Sequence, residues 1–123
     1  MAIEIYLEYG TELDVSEASV KDYRWDVFVK KDSNFYRISV FTLVRLQQEI
    51  EMSKEYSEYY ENDTNLVILK EITNEEIIRI MCHLEEECFF EQLLPLEQGE
   101  DWIKYFYNET FTTLSKKDMT RIY

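Results

Sequence analysis

The stretch from Tyr23 to Leu46, YRWDVFVKKDSNFYRISVFTLVRL, constrains the fold more than any other part of the chain. Tyr23, Trp25, Val27 and Val29 alternate with polar Arg24 and Asp26, the period-two pattern of a strand with one apolar face. Lys30 to Asn34 is a polar break, after which Phe35 to Phe41 resumes the pattern with Tyr36, Ile38 and Val40 on one face. Two β-rich runs parted by a short polar break predict a hairpin. Thr42 follows without a spacer, and its hydroxyl is suited to cap a helix whose Leu43, Leu46 and Ile50 share a stripe. A hairpin feeding directly into a helix predicts a half-buried sheet with a helical lid. The stretch holds no reaction motif.

Going along the chain, Ile3, Ile5, Leu7 and Tyr9 alternate with Glu4, Tyr6 and Glu8, which predicts a first strand with one wet face. Gly10 to Ser19 reads as an acidic loop. The helix begun at Thr42 loosens into SKEYSEYYEND, with Glu51–Glu55 and Lys54–Glu58 as supporting pairs. Asn62 to Asn65 is a turn cluster, and Leu66 to Leu69 suits a buried strand. Thr73-Asn74-Glu75-Glu76 has the spacing of a capping box, with Ile72 and Ile77 placed as a hydrophobic staple. Beyond it Ile77, Ile80, Met81, Leu84 and Cys88 form an apolar helix face, opposite Glu75, Glu76, Arg79, Glu86 and Glu87. Phe89 to Leu96, closed by Pro95 and Gly99, reads as an edge strand or extended segment. Asp101 is placed to cap a short helix through Trp102 and Phe106, and Ser115 to Asp118 a last helical turn. Residues 1–123 are therefore expected to form a single α+β domain, an antiparallel sheet with helices mainly on one face.

Two glycines and one proline leave no material for a Gly-rich phosphate loop. The N-terminal MAIEIYLEYG lacks the basic and long apolar regions of a secretory signal, and no apolar run approaches the roughly 20 residues of a membrane span. Cys82 and Cys88 make no disulfide framework, so the expected setting is a reducing cytoplasm. Cys82 and His83 are neighbours on a helix and point about 100° apart, which opposes both a shared metal and a Cys–His nucleophile pair. No metal, cofactor or catalytic residue is assigned, since GxSxG, Walker, HExxH and EF-hand patterns are all missing. Acid clusters such as Glu85–Glu86–Glu87 or Glu100–Asp101 are expected as solvated charge runs, because 26 carboxylates make chance pairs common. Tyr56, Tyr59, Tyr60, Tyr105, Phe106 and Tyr107 sit among charges, as covers for sheet edges or as anchors for a protein partner.

Charge supplies the strongest functional hint. Residues 46–101 hold 16 acids and 3 bases, while residues 102–123 hold 4 bases and 2 acids, within a chain of net charge −13. Such a balance disfavours direct binding to nucleic acid or an anionic membrane and favours a basic protein as partner. The segments YRWDVFV…FYRISVFTLVRL and LVILKEITNEEIIRI, in a small, acidic, Gly-poor α+β chain, resemble the immunity proteins of bacterial toxin systems, including those of contact-dependent growth inhibition. The resemblance implies a non-enzymatic protein that binds and neutralises a cognate toxin domain, commonly a basic nuclease. The expected contacts are Glu58, Tyr59, Glu86 and Glu87. The alternative is a phage-type acidic mimic of nucleic acid that occupies a DNA-binding enzyme.

Overall fold

In the computed structural model the described residues are 2–8, 20–54, 65–98, 102–107 and 110–123. The hairpin is the centre, formed by β2 (Tyr23–Lys31) and β3 (Asn34–Phe41). Pairing runs further into the polar break than the pattern indicates: Lys31 lies opposite Asn34, leaving Asp32 and Ser33 as the turn. Asp32 takes a φ of 57°, a left-handed conformation to which Asp is better suited than most non-glycine residues. Near the other end a bulge falls between Arg24 and Val27. Arg24 lies opposite Val40 and Tyr23 opposite Phe41, so the bulge places Tyr23 on the reverse face from Val27 and Val29. The buried Arg24 guanidinium closes this kink by donating to both Asp26 carboxylate oxygens, at 2.6 and 3.1 Å.

β1 (Glu4–Glu8) pairs antiparallel with β2, and β8 (Met119–Arg121) with β1. On the far side β4 (Leu66–Ile68) pairs with β3, giving the order β4-β3-β2-β1-β8. The β3–β4 pairing is parallel, unlike the others, because helix α1 (Leu43–Lys54) carries the chain over between them. β4 is a three-residue edge strand with Ile68 exposed, so the apolar run of 66–69 buries only Leu69 deeply.

Both faces of this sheet are covered. Ile5, Leu7, Val27, Val29, Ile38 and Val40 pack against Ile72, just before helix α2 (Asn74–Glu86), and against Ile77 and Met81 within it. Each such aliphatic side chain, fully withdrawn from water, contributes about 1.5–3 kcal/mol of transfer free energy. On the opposite face lies a second sheet of β5 (Glu97–Gln98), β6 (Trp102–Tyr107) and β7 (Thr110–Ser115). Its Ile103, Tyr105 and Leu114 meet Phe28 and Phe35, with Tyr6 and Met119 at the margin. The expected wet face of β1 and the hairpin is thus a second core. The chain is α+β, with α2 the main helical contribution to the core, on one face.

Three expectations change here. Trp102 to Tyr107 is a strand, not a capped helix: Ile103 and Tyr105 point in while Trp102 and Phe106 stay exposed, and β7 pairs along its whole length. Asp101 itself lies outside the described residues. The α1 stripe is shallow, since Leu43 is exposed and Leu46 and Ile50 are half-buried. Thr42 does cap α1, accepting the Arg45 N–H at 3.2 Å. Arg45 pairs with Glu49 at 2.6 Å and lies 4.3 Å over the Tyr23 ring. Phe89 to Leu96 contains a short turn at Phe90–Gln92 before it becomes extended. Residues 10–19 and 55–64, with the predicted acidic loop and tyrosine cluster, are outside the described set.

Candidate interaction surface at the end of the second helix

Helix α2 begins as the sequence indicates, with the Thr73 hydroxyl accepting the Glu76 N–H at 3.2 Å. Ile72 and Ile77 are both buried in one cluster, as a staple requires. Only half of the capping box forms. The Glu76 carboxylate turns to Arg79, which donates to it at 2.5 and 3.1 Å, and Lys70 stands 3.9 Å away. Glu76 is therefore buried, not part of the solvated face. The Arg79 hydrogen bonds outweigh desolvation and hold its carboxyl below the ordinary glutamate range.

The far end of α2 carries the expected acids. Glu86 and Glu87 are exposed on and just past its last turn. Cys88 N–H donates to the Glu85 carbonyl at 3.1 Å, and Phe89 N–H to the Leu84 carbonyl at 3.0 Å. That pair of bonds is a Schellman stop, with half-buried Phe89 and Leu84 packed on the same core. The cost falls on Cys88, which takes a φ of 59° and is exposed, not part of the apolar stripe.

Beside this end stands Lys31, whose place no local pattern indicates. Its ammonium is buried between Glu85, at 3.0 Å, and Glu91 in the turn that follows α2. Hydrogen bonds to Glu91 and then Glu85 raise the lysine well above its ordinary pKa and lower that of Glu91. A lysine at a strand end reads as exposed, and its partners lie 54 and 60 residues further along the chain.

Next to this triad, Ala2, Ile3, Cys82, Glu85, Glu86 and Tyr123 line an open cleft of about 410 Å³. Tyr123 shares a hydrogen bond with the Cys82 sulfur, which raises the pKa of its phenol. Among the described residues no cation pairs with Glu86, and Glu87 meets only His83, at 3.1 Å, a partner charged only when protonated. The cleft thus has one carboxylate wall balanced by Lys31 and one without a fixed countercharge, an arrangement that accepts an ammonium or guanidinium group.

Cys82 is half-buried toward the core and His83 is exposed, so the helix separates them. Among the described residues no three His, Cys, Asp or Glu side chains converge to hold a metal. Glu58 and Tyr59 lie outside the described residues. Of the other aromatics, Tyr105 is buried and donates to Glu8 at 3.0 Å, whereas Phe106 is exposed.

The fold defines an α+β protein with a three-stranded sheet laid on a mixed five-stranded one. The chain matches no protein-family model, no curated protein and no solved structure. Among the described residues no helix is long and apolar enough to cross a membrane.

Proposed function

We propose that this chain is a cytoplasmic immunity protein that binds and neutralises a cognate basic toxin domain, of the nuclease kind the resemblance implies, without turnover of its own. The observation that carries the reading is the end of α2, where Glu86 and Glu87 are exposed and, among the described residues, the Glu86 wall of the adjoining cleft has no fixed countercharge. A basic side chain of the toxin enters that cleft, and the wider field of a chain at −13 steers the encounter. The rival reading, a nucleic-acid mimic, calls for an unbroken row of carboxylates. Lys70, Arg79 and Lys31 interleave with the acids around α2, which supports a protein partner instead.

The test takes as candidate toxin the product of a gene found next to this one in its native genome. Cells expressing that toxin should survive only when this chain is present. The association rate of the purified pair should fall as salt shortens the Debye length to about 8 Å and below. Glu86→Lys with Glu87→Lys should slow association at least several-fold at low salt, leaving the circular dichroism unchanged. Absence of both protection and binding refutes the function. Binding that ignores both salt and the reversals refutes the acidic cleft as its site.

A further inference from the structure

The cleft at the end of α2 has an aromatic wall as well as an acidic one. Tyr123 lines it and is 48% exposed. Its backbone is tied to β1: Ile5 N–H donates to the Tyr123 carbonyl at 3.1 Å, and Tyr123 N–H to the Ile5 carbonyl at 3.3 Å. Its phenol shares a hydrogen bond with the Cys82 sulfur on α2. The ring is thus held at both ends, so little rotamer freedom is left to lose when a partner packs against it. Cys82, Glu85 and Glu86 stand at i, i+3 and i+4, so one face of the helix brings all three to the cleft. Ala2 and the buried Ile3 complete the lining.

Helix α1 holds the same kinds of part together with their cation. There Arg45 lies 4.3 Å over the Tyr23 ring and 2.6 Å from the Glu49 carboxylate, one turn further on. In the cleft the ring is Tyr123 and the helical carboxylate is Glu86, and among the described residues no cation pairs with Glu86. Glu85 is already matched from inside by Lys31, at 3.0 Å, which leaves Glu86 as the charge an incoming group meets. An ammonium keeps a tight water shell and needs several oxygen acceptors, which Ala2, Ile3 and a ring face do not replace. A guanidinium is more weakly hydrated, lies flat on an aromatic ring, and keeps its N–H edge free to fork onto a carboxylate.

Resting on the reading of this cleft as the partner's binding site, we infer that it is a socket for one arginine side chain and discriminates against lysine. The guanidinium stacks on Tyr123 and pairs through two N–H groups with Glu86. At about 410 Å³ the cleft is on the scale of a small-molecule site, with room for the arginine stem as well as its head. The toxin residue that enters it is therefore an arginine on an exposed part of the toxin surface.

The test is an NMR titration of the isotope-labelled full chain at low salt with Nα-acetyl-arginine methylamide. The lysine analogue carries the same charge, and the citrulline analogue has the same planar head without charge. The arginine probe should bind in the millimolar range and shift the amides of Ile3, Cys82, Glu86 and Tyr123. The lysine probe should bind about threefold more weakly or worse, and the citrulline probe should have no effect. Glu86→Gln should abolish saturable binding of the arginine probe, and Tyr123→Leu should weaken it by about two- to fivefold, toward the lysine value. Glu75→Gln, which removes an equal charge at the far end of α2, should leave the titration unchanged. Should Tyr123→Leu misfold, as the amide spectrum would report, the three probes on the parent chain decide. Equal affinity for the arginine and lysine probes, shifts that avoid these amides, or binding that survives Glu86→Gln overturns the inference. The titration needs no toxin. A flat titration with protection intact removes the socket alone, and lost protection with a normal titration removes the immunity reading alone.

Discussion

Replacing Cys88 by glycine should make this protein more stable, and the reason lies in one backbone angle. Cys88 follows α2 with a φ of 59°, where its Cβ crowds the neighbouring carbonyl. A residue with a Cβ loses roughly 1–2 kcal/mol in that conformation, and glycine loses none. Against this, glycine gives up about 0.5–1 kcal/mol more chain entropy on folding. The side chain is exposed, so no core packing is forfeited. The net expectation for Cys88→Gly is a gain of about 0.5–1 kcal/mol, or a rise in Tm of roughly 2–5 °C. Cys88→Val is the necessary companion, since a β-branched residue tolerates positive φ worst and should lose about 1 kcal/mol or more. Urea unfolding at constant m reads both as shifts in midpoint. If Cys88→Gly unfolds at lower urea than the parent, or Cys88→Val matches it, the left-handed Schellman stop is the wrong account of how α2 ends.

Met81 is fully buried between α2 and the sheet, so Met81→Ala should cost about 2–5 kcal/mol in urea unfolding. The Glu76 pKa is depressed below its ordinary 4.5, so its contribution is present above that pH and is lost as pH falls through the lowered value. Unfolding followed across a series of acid pH values should therefore show a shallower loss of stability in Glu76→Gln than in the parent. Burial, followed by the Glu8 charge, raises the Tyr105 pKa above its ordinary 10.0, so the folded state holds that proton longer and stability declines as pH rises beyond 10.0. Tyr105→Phe should remove that part of the alkaline decline, and an unchanged slope would show that the phenol is not held protonated by the fold.

Local chemistry was enough to find the elements whose signals lie within a few residues. The hairpin, the Thr42 and Thr73 caps, the Ile72–Ile77 staple and the Ser115–Asp118 box were all legible, since each is decided by a side chain reaching its own backbone or a near neighbour. The exposure of Glu86 and Glu87 was legible for the same reason, from helix periodicity. What sequence could not supply were the pairings between distant residues. Trp102 to Tyr107 carries an aromatic alternation too short to separate from a helix turn, and it became a strand because β7 and the Phe28–Phe35 face were there to receive it. Lys31 looked like a solvent-facing charge and is buried, because Glu85 and Glu91 were brought around it by packing, and Glu76 is buried at the start of α2 although its partner Arg79 is a near neighbour on the same helix. The free energy that fixes such contacts comes from burying apolar surface elsewhere, so only the assembled tertiary structure could decide which charges are matched and which, like Glu86, are left facing water.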